Sequence, residues 1–557
     1  MLVIIRIFIH VVLIGVSTAF FCVLYKRSYV NHVPEEVQVK GIRGWFLLIM
    51  LIAFLVRIIE FGNIPGGLNQ DEARTAIDAK AILEYGTDIF GVPNPAWLSS
   101  MLKGHQSVML AWLQIPFIKA FGYSIFSIRL PMLLISLLGL VVIFFYVRDI
   151  KGDRIALIVF ALTAICPYYI MKSRFALDCD VFAHFVLFGM FFLNKLKKRY
   201  IFFSMVFFGL SMYCYGLAFV TIPFLLLFCA FWLYRKKIVN IRDILICMLI
   251  YFGVSLPEWA TMVINAFDLE SITIYGLTCP YCFQDTRGSD LLFMNFSIQQ
   301  LFKNLWYTFK IVFLQAYDNQ INQIRYIGPY YIFSIPFLVW GIYKVIVKCK
   351  NEEEENTIKD VMLLLYGAAG LCTGILTPVN VSRIGHIFYP VLIFVGIGIA
   401  DIVSRVWKYK YYVLGIYLLG AAIFCIRYFG EYKDTYGFYT DFCQAVSDVY
   451  NTGKGDGLRY KISTMGGYTF TPESIIMFYH KVNPLQYQGK EDMPDGLSFS
   501  EKFSFCFYSL TDAEKENVMP GDLWLVHDNV LEYLDSEYML DITDYGTWNV
   551  ITVLEEP

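Results

Sequence analysis

RGWFLLIMLIAFLVRIIE (residues 43–60) runs directly into FGNIPGGLNQDEARTAIDAKAILEYGTDIFG (residues 61–91). The first stretch is long and apolar enough to cross a hydrocarbon core about 30 Å thick. The second is polar and places Asp71, Glu72 and Arg74 side by side at the start of a helical pattern. A spanning segment that opens onto charged residues near its end sets the terms for the rest of the chain.

Apolar runs of this kind recur at 2–24, 125–147, 154–171, 179–194, 199–215, 217–234, 242–264, 329–347, 359–376, 385–404 and 411–427. With 43–60 they make about twelve spans. The segment 106–121 is apolar but short and holds Pro116, which predicts a helix at the interface or packed part-way in. Of 557 residues, 57% are hydrophobic, 18% aromatic and only 17% charged, against about 25% charged in soluble domains. The expected class is therefore a polytopic α-helical membrane protein with membrane lipids as its surroundings. The net charge of −2 says nothing about nucleic acid, and with no basic patch to support one, no nucleic-acid partner is expected. Seven of the thirteen cysteines fall in apolar spans and read as small hydrophobes. Cys279 and Cys282 form a CPYC motif in a polar loop, where a local structural role is favoured over redox or metal chemistry. The first 28 residues show no clear cleavage site and read as a first spanning helix rather than a removable signal.

Lys and Arg cluster in alternate loops: 26–27, 148–154, 195–199, 235–237, 348–350 and 405–410. The positive-inside rule makes these cytoplasmic. NQDEAR (69–74), the 265–328 loop, the 377–384 turn and everything after 428 then lie outside. The chain divides into a membrane domain, 1–429, and an extracytoplasmic domain, 430–557. In the latter, β-like runs at 460–464, 503–509, 523–528 and 548–554 alternate with helical stretches at 472–482 and 529–535, the signature of a small α/β domain. The aromatic and amide-rich 265–328 loop reads first as an interfacial amphipathic helix anchored by Trp306 and Tyr307, and second as a sugar-binding wall.

In the 61–105 loop, Ala73, Ile77 and Ala81 recur at helical spacing behind Asp71. Two carboxylates in a first turn are favoured by the helix dipole, so capping alone accounts for them. Other ionisable residues also gather at the external helix ends: His105, Arg174, Asp178, Asp180, Glu258, Arg383 and His386. Ionisable groups near membrane depth are costly and call for a functional explanation.

Four stretches together resemble the class C (GT-C) glycosyltransferases that use polyprenyl-phosphate sugars. They are closest to the protein O-mannosyltransferase and aminoarabinose transferase branch, glycosyltransferase family 39-like. The stretches are Asp71-Glu72 with YGTDIFG (85–91), FGYSIFSIRLP (121–131), SRFALDCD (173–180) and TPVNVSRIGHIFYP (377–390). The resemblance implies a GT-C type membrane fold and a transferase moving a sugar from an undecaprenyl-phosphate type donor to an external glycan, lipid or protein. It implies Asp71 as the general base of an inverting displacement. Arg74, Arg174, Arg383 and His386 become candidates for the donor phosphate. Glu72, Asp178, Asp180, His105 and Glu258 become candidates for binding or orienting substrate. No cofactor is required, and a divalent metal at Glu72 and His105 stays open, because LKGHQS (102–107) departs from the family's acidic and Lys-Pro-Pro pattern. The competing readings are a lipid-linked glycan flippase or transporter and a glycan polymerase or ligase. A flippase would place polar residues near the midplane and carry repeats, and no repeat is visible.

Overall fold

A computed structural model describes residues 39–99, 106–282, 292, 294–351, 355–405, 410–432, 437–463, 471–506 and 516–554. The expected first span, 2–24, and His105 lie outside the described residues.

The bundle begins with α1 (Ile42–Ile58). The polar loop follows and forms α2 (Gln70–Tyr85). Then come α3 (Met109–Phe121) and α4 (Ile125–Ala164). Gly152 breaks α4 with φ 79°, a conformation that suits glycine. Phe144 and Phe160 meet at 5.5 Å between ring centroids, so the two arms fold back on each other. This hairpin is the pair of spans expected at 125–147 and 154–171. A short α5 (Pro167–Lys172) leads to α6 (Asp178–Leu193), α7 (Lys198–Ser211), α8 (Ala218–Arg235) and α9 (Ile241–Ala266). After α10 (Ile298–Val312) the bundle continues with α11 (Ile335–Asn351), α12 (Glu355–Leu376), α13 (Phe388–Arg405) and α14 (Lys410–Phe429). Seven helices among the described residues are long and apolar enough to span a membrane.

The side chains sort by surroundings. α13 is buried along nearly its whole length, and α11 and α4 pack on it. α1, α8, α9 and α14 turn large apolar residues such as Leu47, Leu227, Leu249 and Leu418 outward, as lipid-facing helices do. Basic residues mark one end of the bundle, where Lys151 pairs with Asp360, Lys195 with Asp149, and Lys198 with Asp243 at 2.7 Å. The opposite end carries α2, the start of α6 and the tail domain.

In α10 the polar face looks inward. Asn304 donates to the carbonyl of Ile375 at 2.9 Å, and Thr308 sits against Gly374. Ile298, Phe302 and Trp306 project outward. That inverted arrangement suits an apolar environment along the outer face of α10.

Two short hairpins brace the polar loop: β1 (Trp97–Leu98) with β2 (Gln106–Ser107), and β3 (Ile272–Ile274) with β4 (Leu277–Cys279). The Ala96 amide donates to the carbonyl of Thr278 at 2.8 Å, joining them. Cys279 and Cys282 are both free thiols and buried in this joint.

The tail domain is α/β, as expected. Its strands are β5 (Arg459–Ser463), β6 (Phe503–Cys506), β7 (Asp522–His527), β8 (Leu540–Asp544) and β9 (Trp548–Val553). They form one mixed sheet in the order β8-β9-β7-β5-β6. The β5 pairings are parallel and the others antiparallel. α15 (Gly437–Thr452) and α16 (Pro472–Tyr479) pack between this sheet and the polar loop. Residues 528–533 form a 3-10 helix. α15, whose Phe442, Ala445, Val446 and Val449 recur at helical spacing and are buried, and β8 lie outside the expected elements.

Candidate active site

α2 starts where the polar loop turns back toward the bundle. Asn69 caps it: its side chain accepts from the Asp71 amide at 2.8 Å, while the Glu72 carboxylate accepts from the Asn69 amide at 3.2 Å. This reciprocal box fixes the first turn. Consecutive residues on a helix diverge in direction, so Asp71 and Glu72 have opposite fates.

Glu72 points into the protein and is fully buried. One oxygen accepts from Arg129 Nε at 2.9 Å and the Ala176 amide at 2.7 Å; the other accepts from Arg129 Nη2 at 2.8 Å. Arg129 also donates to the carbonyls of Gly62, Pro65 and Gly67. The pair welds three of the motif stretches together. It also corrects the reading of Glu72 as a substrate or metal ligand: both oxygens are already filled by donors, an arrangement that does not fit a divalent ion. Arg129 was overlooked as a site-forming residue, although its charge inside an apolar helix was a visible signal.

Asp71 points the other way and keeps half its side chain exposed (51%). Arg74 Nη1 donates to Asp71 Oδ1 at 3.2 Å. Gln106 braces the turn from β2, donating to the Asp71 carbonyl at 3.3 Å and to Thr75 Oγ1 at 2.5 Å. Asp178 leads α6, ahead of the apolar run that begins at Val181. Burial pushes its carboxyl up to about 7, Asp71 and Asp180 add to the rise, and the amides of Cys179 and Ser107 oppose it. Asp71 and Asp178 are therefore close enough for each charge to bear on the other. Asp88 of YGTDIFG accepts from the amides of Phe90 and Val92, and Asp78 from that of Ile89, which holds the loop after α2 in place. Burial raises both carboxyls.

The other candidates divide. Asp180 is buried and pairs with Lys172 at 3.3 Å. Lys172 also donates to Ser382 Oγ at 3.2 Å, tying the 173–180 turn to the 377–384 turn. Lys172 stands one position before the motif SRFALDCD and was missed. Arg174 is buried too, donating to the carbonyls of Ile64 at 2.9 Å and Arg57 at 2.9 Å, with Tyr428 and Phe429 rings over its guanidinium. It fastens the end of α1 through Nε and Nη1, while its Nη2 has no hydrogen-bond partner among the described residues. Arg383 is half-buried and donates to the Pro378 carbonyl at 2.6 Å. His386 is fully buried beside Phe182, with no hydrogen-bond partner on either ring nitrogen among the described residues. Glu258 is buried in α9, and its carboxylate oxygens likewise have none. Cys214 lies close enough to both Glu258 and Asp178 to feel each charge. Among the described residues no cluster of three or more His, Cys, Asp or Glu could hold a metal ion.

Residues 105–260 match the family described as dolichyl-phosphate-mannose-protein mannosyltransferase. That segment includes Arg129, Arg174, Asp178, Asp180 and Glu258; Asp71 precedes it and Arg383 follows. The search of curated proteins finds no match. Among solved structures, the chain is similar to ArnT from Cupriavidus metallidurans bound to undecaprenyl phosphate. The TM-score is 0.56 at 12% identity, covering 92% of this chain and 98% of that one. The apo form of the same protein gives 0.55 at 12% identity, covering 91% and 98%. The Archaeoglobus fulgidus oligosaccharyltransferase in complex with Zn and sulfate gives 0.51 at 13% identity, covering 78% and 61%. At such identities it is the fold that is shared. The chain therefore has the fold of these membrane glycosyltransferases and, over 105–260, the pattern of the mannosyltransferase family.

Proposed function

We propose that the protein moves a sugar from an undecaprenyl-phosphate type donor to an acceptor outside the cell membrane. The acceptor hydroxyl attacks the anomeric carbon while the bond from that carbon to the phosphate oxygen breaks. The polyprenyl phosphate leaves with the bonding electrons, the anomeric configuration inverts, and the hydroxyl proton passes to the Asp71 carboxylate. Arg383 is the candidate cation for the departing phosphate, and Arg74 acts on the same charge from beside Asp71. Asp178 orients the sugar or the acceptor. The reading needs no cofactor.

The observation that carries this reading is the contrast within one pair of neighbours. Glu72 is locked into the scaffold, and Asp71 is held half-exposed on the same rigid turn. A base must be both fixed and reachable, and Asp71 is both. The Lys and Arg residues at the opposite end of the bundle support an extracytoplasmic site.

The test is transfer by the purified protein from a panel of polyprenyl-phosphate sugars, read by the mass of the product, beside the Asp71→Asn variant. Consumption of a donor by the wild type and its loss in the folded variant are expected. If the variant turns over like the wild type, or no donor is consumed while a lipid-linked glycan crosses vesicles intact, the reading fails.

A further inference from the structure

The tail domain reaches the proposed base through one threonine. Thr471 is the residue that precedes α16, the position from which a threonine ordinarily caps its own helix. Its side chain makes no such cap. Instead the hydroxyl donates to Gln70 Oε1 at 2.8 Å, and the Thr471 amide donates to the same oxygen at 2.8 Å. The hydroxyl oxygen also accepts from Arg74 Nη2. Arg74 is thereby held between Thr471 of the tail and Asp71 of the bundle, with its side chain 6% exposed. Ser474, in the first turn of α16, donates to the Gln70 carbonyl at 3.3 Å.

The same surface is fastened at further points. The Leu68 amide donates to Cys443 Sγ at 3.2 Å, and Gln488 Nε2 donates to the Ile89 carbonyl at 3.2 Å. Gly67 has φ +69°, and a Cβ there would come within 2.6 Å of the Tyr439 carbonyl oxygen. Only glycine fits that position. These contacts seat the domain, whereas Thr471 alone among them meets the Arg74–Asp71 pair.

We infer that the tail domain completes the active site, and that Thr471 is a positioning residue that fixes the Arg74 guanidinium and through it the Asp71 carboxylate. The inference rests on the reading of Asp71 as the base. A floppy Arg74 would leave Asp71 free to sample rotamers that point away from the acceptor, and small misplacements of a reacting group cost rate rather than binding.

The experiment compares full-length wild type, Thr471→Val, Thr471→Ser and Asp71→Asn. Undecaprenyl-phosphate-linked mannose, glucose and pentose serve as donors, and released undecaprenyl phosphate is the readout. Thr471→Val, which keeps the size and removes the hydroxyl, should lower kcat about tenfold or more with donor KM within about twofold. Thr471→Ser should restore kcat. Gln70→Leu, which removes the acceptor of both Thr471 donors, should fall with Thr471→Val and serves in its place if valine fails to fold. If Asp71→Asn is inactive and Thr471→Val or Gln70→Leu turns over like wild type, the inference is overturned and the base reading stands. If Thr471→Ser falls as far as Thr471→Val, the hydroxyl is not the positioning group and the inference is again overturned. If Asp71→Asn is active, the base reading fails and takes the inference with it.

Discussion

Arg129 holds both oxygens of Glu72, at 2.9 and 2.8 Å, with neither side chain exposed to solvent. The pair joins the first turn of α2 to the long hairpin α4, and the Ala176 amide adds the turn before α6. The acidic pair at 71–72 thus divides between a fully buried carboxylate and a half-exposed one.

Breaking a buried ion pair from one side leaves an uncompensated charge and costs about 3–5 kcal/mol. Glu72→Gln and Arg129→Met should each lower the thermal midpoint of the detergent-solubilised protein markedly, and Asp71→Asn should barely move it. Thermal unfolding followed by size-exclusion chromatography checks this. A Glu72→Gln protein as stable as wild type would mean the pair is not structural.

Arg174 and Arg383 should separate in the same way. Arg174→Ala strands the carbonyls of Ile64 and Arg57, each worth about 1–3 kcal/mol when left unsatisfied. Its defect should appear as lost stability. Arg383 is half-buried and donates to the carbonyl of Pro378, within its own turn, so Arg383→Ala should keep stability and raise donor KM. An unchanged KM would remove Arg383 from the phosphate site.

α10 offers a test of the lipid surroundings. Phe302 is 66% exposed and Asn304 is 2% exposed. A spin label at 302 should be readily relaxed by dissolved oxygen, which partitions into lipid, and one at 304 should not. Equal accessibility to a water-soluble relaxant at 302 would place this face in water instead.

Much of the fold was legible because membrane spans are read from length and composition, two properties a sequence carries openly. The eleven expected spans within the described region each correspond to helical structure, with the 125–171 stretch bent at Gly152. The helix start at Asp71 was legible too, through its acids and its periodic alanines. Pairing was the hidden part. Nothing in the order of residues says that Glu72 meets Arg129 across fifty-seven positions, or that Arg174 donates to carbonyls at the end of α1 and just after it. A basic residue near a helix end looks the same whether it faces a ligand or a carbonyl. In the tail, β7 and β9 showed as apolar runs, whereas β8, LDITD, interrupts Leu540 and Ile542 with aspartates, which are depleted in strands. Thr471 was invisible for a similar reason: its importance lies in a contact 397 residues away.

Asp178 gives the protein a titration near neutrality. Its carboxyl is raised to about 7 by burial and by Asp71, whereas in the unfolded chain it titrates near its ordinary value of about 4. The folded protein therefore holds more protons than the unfolded one between those values, and stability from this group falls as pH rises through that window. At the site the consequence is electrostatic. Above about pH 7 Asp178 gains a negative charge near Asp71, and under the proposed function the donor brings an anionic phosphate to that charge. Donor KM should rise with pH above that point in the wild type and stay flat in Asp178→Asn. KM measured from pH 5.5 to about 8.5 in both proteins decides it. The same rise in both would assign the titration to another group.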